Sequence, residues 1–440
     1  MLMMPRLLAA AALLSPGAVV AEPVLLISID GLQPADILEA ERRGIDIPNL
    51  QRFVTQGSYA SAVVGVLPTV TYPSHATLIT GVSPAEHGIV SNTVFDPLQI
   101  NQSGWYWYAS DFKVPTLWDT AAKAGLKTAN VHWPVSVGAT SITFNLPQIW
   151  RTGHGDDIKL MKVLATAGLV DRLEKSVGQT YAQGIDESIV GDENRSLFAE
   201  ALIREEKPDF MTVYFTALDH EQHEKGPDTA EAHRILERID TIVGRLVNAQ
   251  LKADPGAVIA IASDHGFAAT STEINLYRAF IDADLIKLDS AGRIKSWQAA
   301  PWNSGGSSAI MLANPDDAAV AARVQALLEK LKSDPANKIA NIAVPEDVAS
   351  MGGNPKASFY VNFEYGAYAG SFKGGDAPLV APSASKGMHG YFPRGSRMRS
   401  SFMMMGKNVS AKRDLGEIDM RMIAPMLAAH LGISLSHRAR

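Results

Sequence analysis

The sequence predicts an α/β fold: a doubly wound, mostly parallel sheet sandwiched by helices, with an inserted cap region. Three near-continuous apolar and β-branched runs, at residues 24–29, 211–215 and 257–262, are typical of parallel strands buried on both faces. Between the second and third runs lies a helical pattern, with Asp228 as its predicted N-cap and Glu231 three residues later. Strands and helices that alternate in this way favour a doubly wound sheet.

The first 21 residues predict a secretory signal peptide. Residues 1–6 are short and basic, residues 7–14 are apolar, and the small residue Ala21 precedes Glu22, which indicates cleavage after Ala21. The apolar run falls well short of the roughly 20 residues that a membrane span requires. No later segment is long and uncharged enough to be a transmembrane segment. We therefore expect export to the periplasm or the medium.

The mature chain is predicted to have three parts. Residues 22–270 contain the three strand-like runs and form the first part of the α/β core. Residues 271–385 are more irregular and richer in Gly, Ser and Asn, which predicts an insertion or cap. Residues 386–440 complete the core.

Composition excludes several classes of site. The 440 residues carry a formal net charge of −6, whereas a nucleic-acid clamp normally shows a basic excess. The chain has no cysteine, so disulfides, thiolate metal sites and cysteine nucleophiles are ruled out. Any metal must be held by His, Asp, Glu or hydroxyl oxygen.

Each of the three apolar runs leads to an aspartate: Asp30, Asp219 and Asp264. A single aspartate in such a place is most often a turn residue or a helix cap. Ligands of open α/β sheets bind beyond the carboxyl ends of the strands, and carboxylates that converge there repel one another unless a cation neutralises them. The candidate nitrogen ligands that accompany them are His223, His265 and His389. Oxygen and imidazole together suit zinc, and Mn²⁺ or Fe as alternatives.

A candidate nucleophile precedes a short predicted helix. Pro73 suits the first turn of a helix and Gly81 its end, so Thr71 is placed at the N-terminus, where free N–H groups favour an anion. A hydroxyl beside a metal there can attack phosphorus. The alternative is that Thr71 merely caps the helix.

A set of short motifs extends over almost the whole mature chain. They are Asp30-Gly31, Pro68-Thr69-Val70-Thr71-Tyr72-Pro73, Thr80-Gly81, His87-Gly88-Ile89, Asn92, Trp133-Pro134, Asp219 with His223 and Gly226-Pro227, Ser263-Asp264-His265-Gly266, and Gly387 to Tyr391. In type and order they resemble the nucleotide pyrophosphatase/phosphodiesterase branch of the alkaline phosphatase superfamily, in a bacterial, exported form.

The resemblance implies an α/β sandwich that holds two Zn²⁺ ions per chain. One ion would be held by Asp30, Thr71, Asp264 and His265, and the other by Asp219, His223 and His389. Thr71 matches the nucleophile, because it immediately precedes the aromatic-Pro pair, and would form a phosphothreonine intermediate. Asn92 matches the residue that holds a non-bridging phosphoryl oxygen.

The expected substrate is a small-molecule phosphodiester or nucleotide, hydrolysed at a phosphodiester or phosphoanhydride bond. A sulfatase of this superfamily would show the pattern C/S-x-P-x-R, but here Thr71 begins the equivalent stretch and His75 ends it. No Arg or Lys lies between residues 61 and 112, so the extra positive charge that suits a phosphomonoester dianion is missing. The aromatic run at 105–108 either stacks a base or another group of the substrate, or packs inward.

Three other functions stay open at this point. One is hydrolysis of a phosphonate of the phosphonoacetate type, with Lys123 and Lys127 as candidates to hold its carboxylate. Another is an alkaline phosphomonoesterase. The third is a non-catalytic binding protein with the same fold, against which the intact ligand set and Thr71 argue.

Overall fold

Strands and helices alternate along the chain in a computed structural model, which describes residues 21–101, 104–149 and 156–436. The strands are β1 (Val24–Ile29), β2 (Ser58–Tyr59), β3 (Ala62–Val64), β4 (Thr128–Val131), β5 (Phe144–Leu146), β6 (Phe210–Phe215), β7 (Val258–Ala262), β8 (Ala268–Ala269), β9 (Thr272–Ile274), β10 (Ile286–Leu288), β11 (Ile294–Trp297), β12 (Ala299–Ser304), β13 (Ser307–Leu312), β14 (Ile339–Ala343), β15 (Phe359–Phe363), β16 (Ala367–Ala369), β17 (Val380–Pro382), β18 (Gly387–Met388), β19 (Phe402–Gly406), β20 (Arg413–Asp414) and β21 (Glu417–Asp419). The α-helices are α1 (Pro34–Leu38), α2 (Ala40–Arg43), α3 (Pro48–Gln56), α4 (Thr71–Thr80), α5 (Pro84–His87), α6 (Leu117–Lys123), α7 (Asp157–Leu164), α8 (Leu169–Val177), α9 (Ile189–Glu206), α10 (Ala217–Lys225), α11 (Ala230–Ala253), α12 (Leu276–Asp282), α13 (Ala318–Ser333), α14 (Pro345–Ser350) and α15 (Ile423–His430).

An eight-stranded central sheet has the order β20-β2-β19-β7-β1-β6-β4-β5. Strand β1 pairs in parallel with β6 on one side and with β7 on the other, and β4 and β5 continue the parallel part beyond β6. Strand β19 runs antiparallel to β7. The predicted fold class, a mostly parallel sheet between helices, is confirmed.

The two faces of the sheet are buried against different sets of helices. Side chains alternate along a strand, and in β1 Leu25 and Ile27 pack into one core, which includes residues of α3, α8, α9 and α11. Val24 and Leu26 pack into the other core, which includes residues of α4, α6 and α15. Burial on both sides explains why the strands read as near-continuous apolar runs.

Helix α11 begins later than the sequence pattern predicted. Asp228 has a positive φ of 62° and lies before the helix. The N-cap is Thr229, whose hydroxyl accepts the N–H of Ala232 at 3.3 Å. The prediction of Asp228 as the cap was wrong, because the left-handed backbone at this position turns the chain before the helix starts.

Smaller sheets follow strand β7 in the chain. Strands β12, β13, β15 and β14 form a four-stranded sheet, and β16, β9 and β17 form a three-stranded one. Residues from these strands and from α12 and α13 share a core cluster of their own. Strand β8 pairs with β18, which brings the two ends of this region together. The division at residues 271–385 stays a prediction.

The predicted signal peptide lies outside the described residues except for Ala21. Among the helices that are described, none has both the length and the apolar character needed to cross a membrane.

Candidate metal centre

Adjacent parallel strands bring the three aspartates to one edge of the sheet. Asp30 directly follows β1, and Asp264 lies two residues after β7. Asp219 belongs to the first turn of helix α10 rather than to a strand end, since the chain enters this helix two residues after β6. Because β1 pairs with both β6 and β7 in register, the segments that leave these strands meet beyond their carboxyl ends.

The first cluster consists of Asp30, Asp264 and His265, all of which are buried. The Nε2 atom of His265 lies 3.3 Å from Oδ1 of Asp30 and 3.2 Å from Oδ2 of Asp264. One ligand atom from each residue lies within 4.8 Å of the other two, a separation that a single ion can bridge.

The second cluster consists of Asp219, His223 and His389. Asp219 and His223 lie one turn apart on helix α10, so they share a face of it. The Nε2 atom of His223 lies 3.4 Å from Oδ2 of Asp219, and Nε2 of His389 lies 3.7 Å from the other oxygen of that carboxylate.

The two clusters adjoin. The rings of His265 and His389, one from each cluster, stack with centroids 3.7 Å apart. Burial raises the pKa of Asp30 well above its usual range, and the charges of Asp219 and Asp264 raise it further. The six residues therefore form one electrostatically coupled centre.

The orientation of each histidine is set by a backbone carbonyl. The Nδ1–H of His223 donates to Gly387 O at 2.9 Å, and that of His389 donates to Thr69 O at 3.1 Å. His265 donates in the same way to Gly266 O at 3.2 Å. A carbonyl only accepts hydrogen bonds, so Nε2 is left as the unprotonated atom, directed at the carboxylates.

The carboxylates are oriented as well. The Oδ1 atom of Asp264 accepts the N–H groups of Gly31 (3.2 Å) and His265 (3.0 Å). The hydroxyl of Tyr214 donates to Oδ2 of Asp30. In both residues the second oxygen faces the cluster and has no hydrogen-bond partner within the described part of the chain, as is also true of Oδ1 of Asp219.

These orphaned oxygens and ring nitrogens fit a pair of divalent cations. Burial raises the pKa of Asp264 to about 7 and that of Asp219 well above its usual range. Burial also lowers the pKa of His223 to about 4 and that of His389 to about 3. Neutral imidazoles are the form that metals bind, and a cation offsets the cost of buried carboxylates. Mixed N and O donors suit zinc.

Thr71 is the first residue of helix α4, which ends at Gly81 with a φ of +73°. The first turn of this helix lies beside the first cluster: Nδ1 of His75 donates to Thr71 O at 2.8 Å and lies 3.6 Å from Oδ2 of Asp264. The predicted helix is confirmed. The hydroxyl of Thr69, by contrast, donates to Tyr391 O at 2.7 Å.

Asn92 is tied to the same helix end. Its Oδ1 accepts the N–H of Tyr72, the residue after Thr71, at 2.8 Å. Its backbone carbonyl accepts the N–H of Tyr106 at 3.1 Å. Because the amide oxygen is engaged, the NH₂ group of Asn92 remains as the donor.

Most of the aromatic run packs inward. The rings of Tyr72 and Trp105 lie 5.2 Å apart, and Trp105 and Tyr106 pack on a small buried cluster that includes Tyr72. Trp107 packs against the core on one face of the sheet, whereas Tyr108 is exposed. The inward-packing alternative thus describes three of the four side chains.

The two candidate lysines lie away from the centre. Lys127 immediately precedes strand β4, at the amino end of the sheet, and its Nζ donates to Glu206 O at 2.7 Å. Lys123 ends helix α6, which leads to the same edge. The aspartates lie at the opposite, carboxyl edge, so the suggestion that these lysines hold a substrate carboxylate was wrong.

Sequence reasoning missed the residues that support the ligands, including Tyr214 and His75. Tyr214 carried one signal: a buried tyrosine in an apolar strand needs a partner for its hydroxyl. The partner, Asp30, lies 184 positions away, and no spacing rule connects the two.

The fold and the paired Asp/His clusters are those expected of the alkaline phosphatase superfamily. A sequence model of the type I phosphodiesterase/nucleotide pyrophosphatase family matches residues 24–391. The chain belongs to this family, whose members are hydrolases that act on phosphodiester bonds. The predicted family is thereby confirmed.

Known relatives are distant. Ectonucleotide pyrophosphatase/phosphodiesterase family member 3 of Rattus norvegicus is 26% identical over 261 residues, which are 57% of this chain and 25% of that protein. Family member 1 of Homo sapiens is 26% identical over 268 residues, 58% of this chain and 24% of that protein. Venom phosphodiesterase 2 of Crotalus adamanteus is 25% identical over 296 residues, 62% and 31% of the two chains. The match thus spans about a quarter to a third of these relatives.

A solved structure shares the fold over nearly the whole length. Human ectonucleotide pyrophosphatase/phosphodiesterase 5 is 19% identical, with a TM-score of 0.65, and the match covers 94% of this chain and 96% of that one.

Proposed function

We propose that this chain is an exported, zinc-dependent phosphodiesterase or nucleotide pyrophosphatase that works through a phosphothreonine on Thr71. The observation that carries the proposal is the pair of adjoining Asp/His clusters beside the helix end that begins with Thr71. Export rests on the signal-like residues 1–21, and the core on residues 22–270 and 386–440 around the 271–385 cap.

Seven residues are proposed to hold two Zn²⁺ ions. Asp30, Thr71, Asp264 and His265 would hold one ion, and the other would be held by Asp219, His223 and His389. Bound cations of this kind supply Lewis acidity, which lowers the pKa of a hydroxyl and neutralises developing negative charge.

The proposed reaction begins at the Thr71 hydroxyl. The hydroxyl gives up its proton and its oxygen attacks phosphorus in line. A bond forms between the Thr71 oxygen and phosphorus, the bond to the leaving oxygen breaks, and that oxygen takes up a proton to depart as an alcohol. The positive end of the helix α4 dipole, at the turn that begins with Thr71, favours the negative charge of the phosphoryl group there. The NH₂ group of Asn92 donates to a non-bridging oxygen, in the manner of an oxyanion-hole donor. A water then cleaves the phosphothreonine and restores the hydroxyl.

The absence of basic residues from the sequence around Thr71 favours a diester. No Arg or Lys occurs between residues 61 and 112, the stretch that contains both Thr71 and Asn92. A phosphodiester carries one negative charge at neutral pH and needs less compensation than a monoester dianion. The position of Lys123 and Lys127 at the opposite sheet edge counts against the phosphonate alternative.

A substrate panel tests the proposal. The purified mature protein is assayed at fixed zinc with a bis-aryl phosphate, an aryl phosphate, an aryl ester of thymidine phosphate and an aryl sulfate. We expect the highest kcat/KM for one of the two diesters and none for the sulfate. A higher kcat/KM for the aryl phosphate would contradict the argument from charge. The variant Thr71→Ala serves as the control for contaminating activity.

A further inference from the structure

A buried ion pair lies behind the second cluster and has no place in the proposed reaction. Asp192 and Arg195 belong to helix α9, and both side chains are fully buried. Charged side chains this deep are rare and costly unless they are paired and fully hydrogen-bonded. The contacts of the pair show what it supports.

Asp192 caps helix α10 from outside that helix. Its Oδ1 accepts the N–H of Thr216 at 3.1 Å, and its Oδ2 accepts the N–H of Ala217 at 2.9 Å. The N-cap residue of the helix, Thr216, makes no side-chain cap bond of its own. Without Asp192 these two buried N–H groups would lose their partner, which is unfavourable at a helix start.

Arg195 fixes the position of the Asp192 side chain that caps helix α10. Its guanidinium donates to Asp192 and, at 2.8 Å, to the hydroxyl of Thr216. It also donates to the carbonyls of Gly184 (2.6 Å) and Asp186 (2.7 Å). The guanidinium charge cancels that of Asp192, so the cap brings no net negative charge to the helix that carries Asp219.

Helix α10 presents two of the three ligands of the second cluster. Asp219 is its third residue and His223 follows one turn later. The cap therefore holds the turn that sets the direction of the Asp219 carboxylate.

We propose that Asp192 and Arg195 are positioning residues for the second metal site, acting through the first turn of helix α10. The inference rests on the proposed function only in that the second cluster binds zinc. Residues that hydrogen-bond a metal ligand directly typically contribute about 10- to 100-fold to metal affinity. Asp192 and Arg195 act one step further out, through the backbone at the start of helix α10, so we expect an effect no larger than the lower end of that range.

The test measures zinc affinity in the full mature chain by competition with a chromogenic chelator, with elemental analysis for stoichiometry. We expect Asp192→Asn to weaken the affinity for one of the two zinc ions by up to about 10-fold and to leave the affinity for the other unchanged. Arg195→Lys keeps the charge but loses the planar fork, and it should weaken the same ion. It also provides the measurement if Asp192→Asn does not fold.

A matched control is available in Asp240. This buried carboxylate accepts the N–H groups of Asn49 (3.2 Å) and Leu50 (2.7 Å) at the start of helix α3, which bears none of the six ligands. Asp240→Asn should lower stability without a change in either zinc affinity. A second test adds Asp192→Asn to His389→Ala, which lacks a ligand of the second cluster. The affinity of the remaining zinc should not change further.

Three results would overturn the inference alone. The first is a folded Asp192→Asn or Arg195→Lys protein that holds both ions as tightly as the wild type. The second is an equal weakening of the affinity for both ions, and the third is a further loss of affinity in the His389→Ala background; each of these two marks a general structural role. Wild-type protein that binds no zinc would overturn the proposed function together with this inference, and is therefore distinguishable from these three results.

Discussion

At Thr71 and Thr69, two hydroxyls of the same kind lie two residues apart in different surroundings. Thr71 opens helix α4 beside the first cluster. The Thr69 hydroxyl is engaged by Tyr391 O, and its own carbonyl orients His389. The proposed function therefore assigns the nucleophile to the Thr71 hydroxyl rather than to that of Thr69.

Thr71→Ala should lose at least about a thousandfold in kcat, since loss of a covalent nucleophile typically costs several orders of magnitude. The protein should still fold, and Asp30, Asp264 and His265 should retain most of the zinc. Thr71→Ser should keep substantial activity, because only a methyl group is removed. The measurement is kcat on an aryl diester together with zinc content.

Thr69→Ala is the matched comparison for this series. It removes one hydrogen bond, worth about 1 kcal/mol, and should affect activity only mildly. If Thr69→Ala is inactive and Thr71→Ala is active, the nucleophile is Thr69, and the proposal has assigned it to the wrong threonine. If both variants were active, water would attack phosphorus directly and the reaction would invert its configuration.

The sequence predicted the candidate metal ligands better than the residues that hydrogen-bond and orient them. The three aspartates and three histidines were selected because strand ends, acidic clustering and family motifs all converge on them, and the structure brings them together. The metal ions themselves stay a prediction. The supports Tyr214 and Asp192 bond to residues 184 and 24–25 positions away. Such contacts depend on tertiary packing and produce no periodic pattern in the sequence.

Among the helices, α4 and α5 are joined by one buried histidine, His87. The N–H of Ile89 donates to its Nδ1 at 3.1 Å, so its Nε2–H faces the Thr77 hydroxyl at 3.0 Å. Burial lowers the pKa of His87 to about 3. The folded protein therefore requires the neutral ring.

This contact predicts a loss of stability in acid. Below the ordinary histidine pKa of about 6.5 the unfolded chain takes up a proton that the folded state refuses until about pH 3. The contribution of His87 to the free energy of unfolding is complete above pH 6.5. Below that pH the free energy of unfolding falls by about 1.4 kcal/mol per pH unit, so that roughly 2 kcal/mol is lost at pH 5. His87→Gln removes the titration.

Urea unfolding of both proteins at pH 7.5 and pH 5, without metal, measures the effect. The stability advantage of the wild type over His87→Gln should shrink by roughly 2 kcal/mol at the lower pH. Comparison of the two proteins cancels the other buried histidines. A difference that does not change with pH would show that His87 is protonated in the folded state.

Element boundaries were predicted less well than element types. The parallel strands and helix α4 were correctly predicted, because long apolar runs and the Pro73 and Gly81 positions mark them. The start of α11 was misplaced by one residue, since Asp and Thr are both good caps and only the backbone at Asp228 decides between them. The sequence pattern placed Asp219 at a strand end, but this residue lies in the first turn of helix α10. The side chain that caps this helix belongs to Asp192, which is distant in sequence.

For the whole molecule, the sheet and its loops gather three carboxylates whose ion-pair partners, among the residues that the structure describes, are histidines and not Lys or Arg. Asp30, Asp219 and Asp264 lie close together, and burial and mutual repulsion raise the pKa of Asp30. The sequence predicted this convergence from topology. It did not indicate how residues 271–385, the predicted cap, are arranged, because the short strands of residues 272–382 carry weaker patterns than the buried parallel ones.

Removal of metal should therefore destabilise the entire chain. A bound ion at a free concentration a thousand times its Kd adds about 4 kcal/mol to the free energy of unfolding, and chelation returns the carboxylates to mutual repulsion. We expect EDTA to lower the thermal midpoint and zinc to restore it, as measured by calorimetry. Magnesium should restore it poorly, because it prefers oxygen ligands in octahedral geometry, whereas three of the seven proposed ligands are imidazoles. In Asp264→Ala the midpoint with zinc should fall toward that of the chelated wild type, since the remaining carboxylates lose a shared ion. A midpoint that is insensitive to chelation would mean that the fold tolerates the acidic cluster without cations, and the metal centre would lose its physical basis.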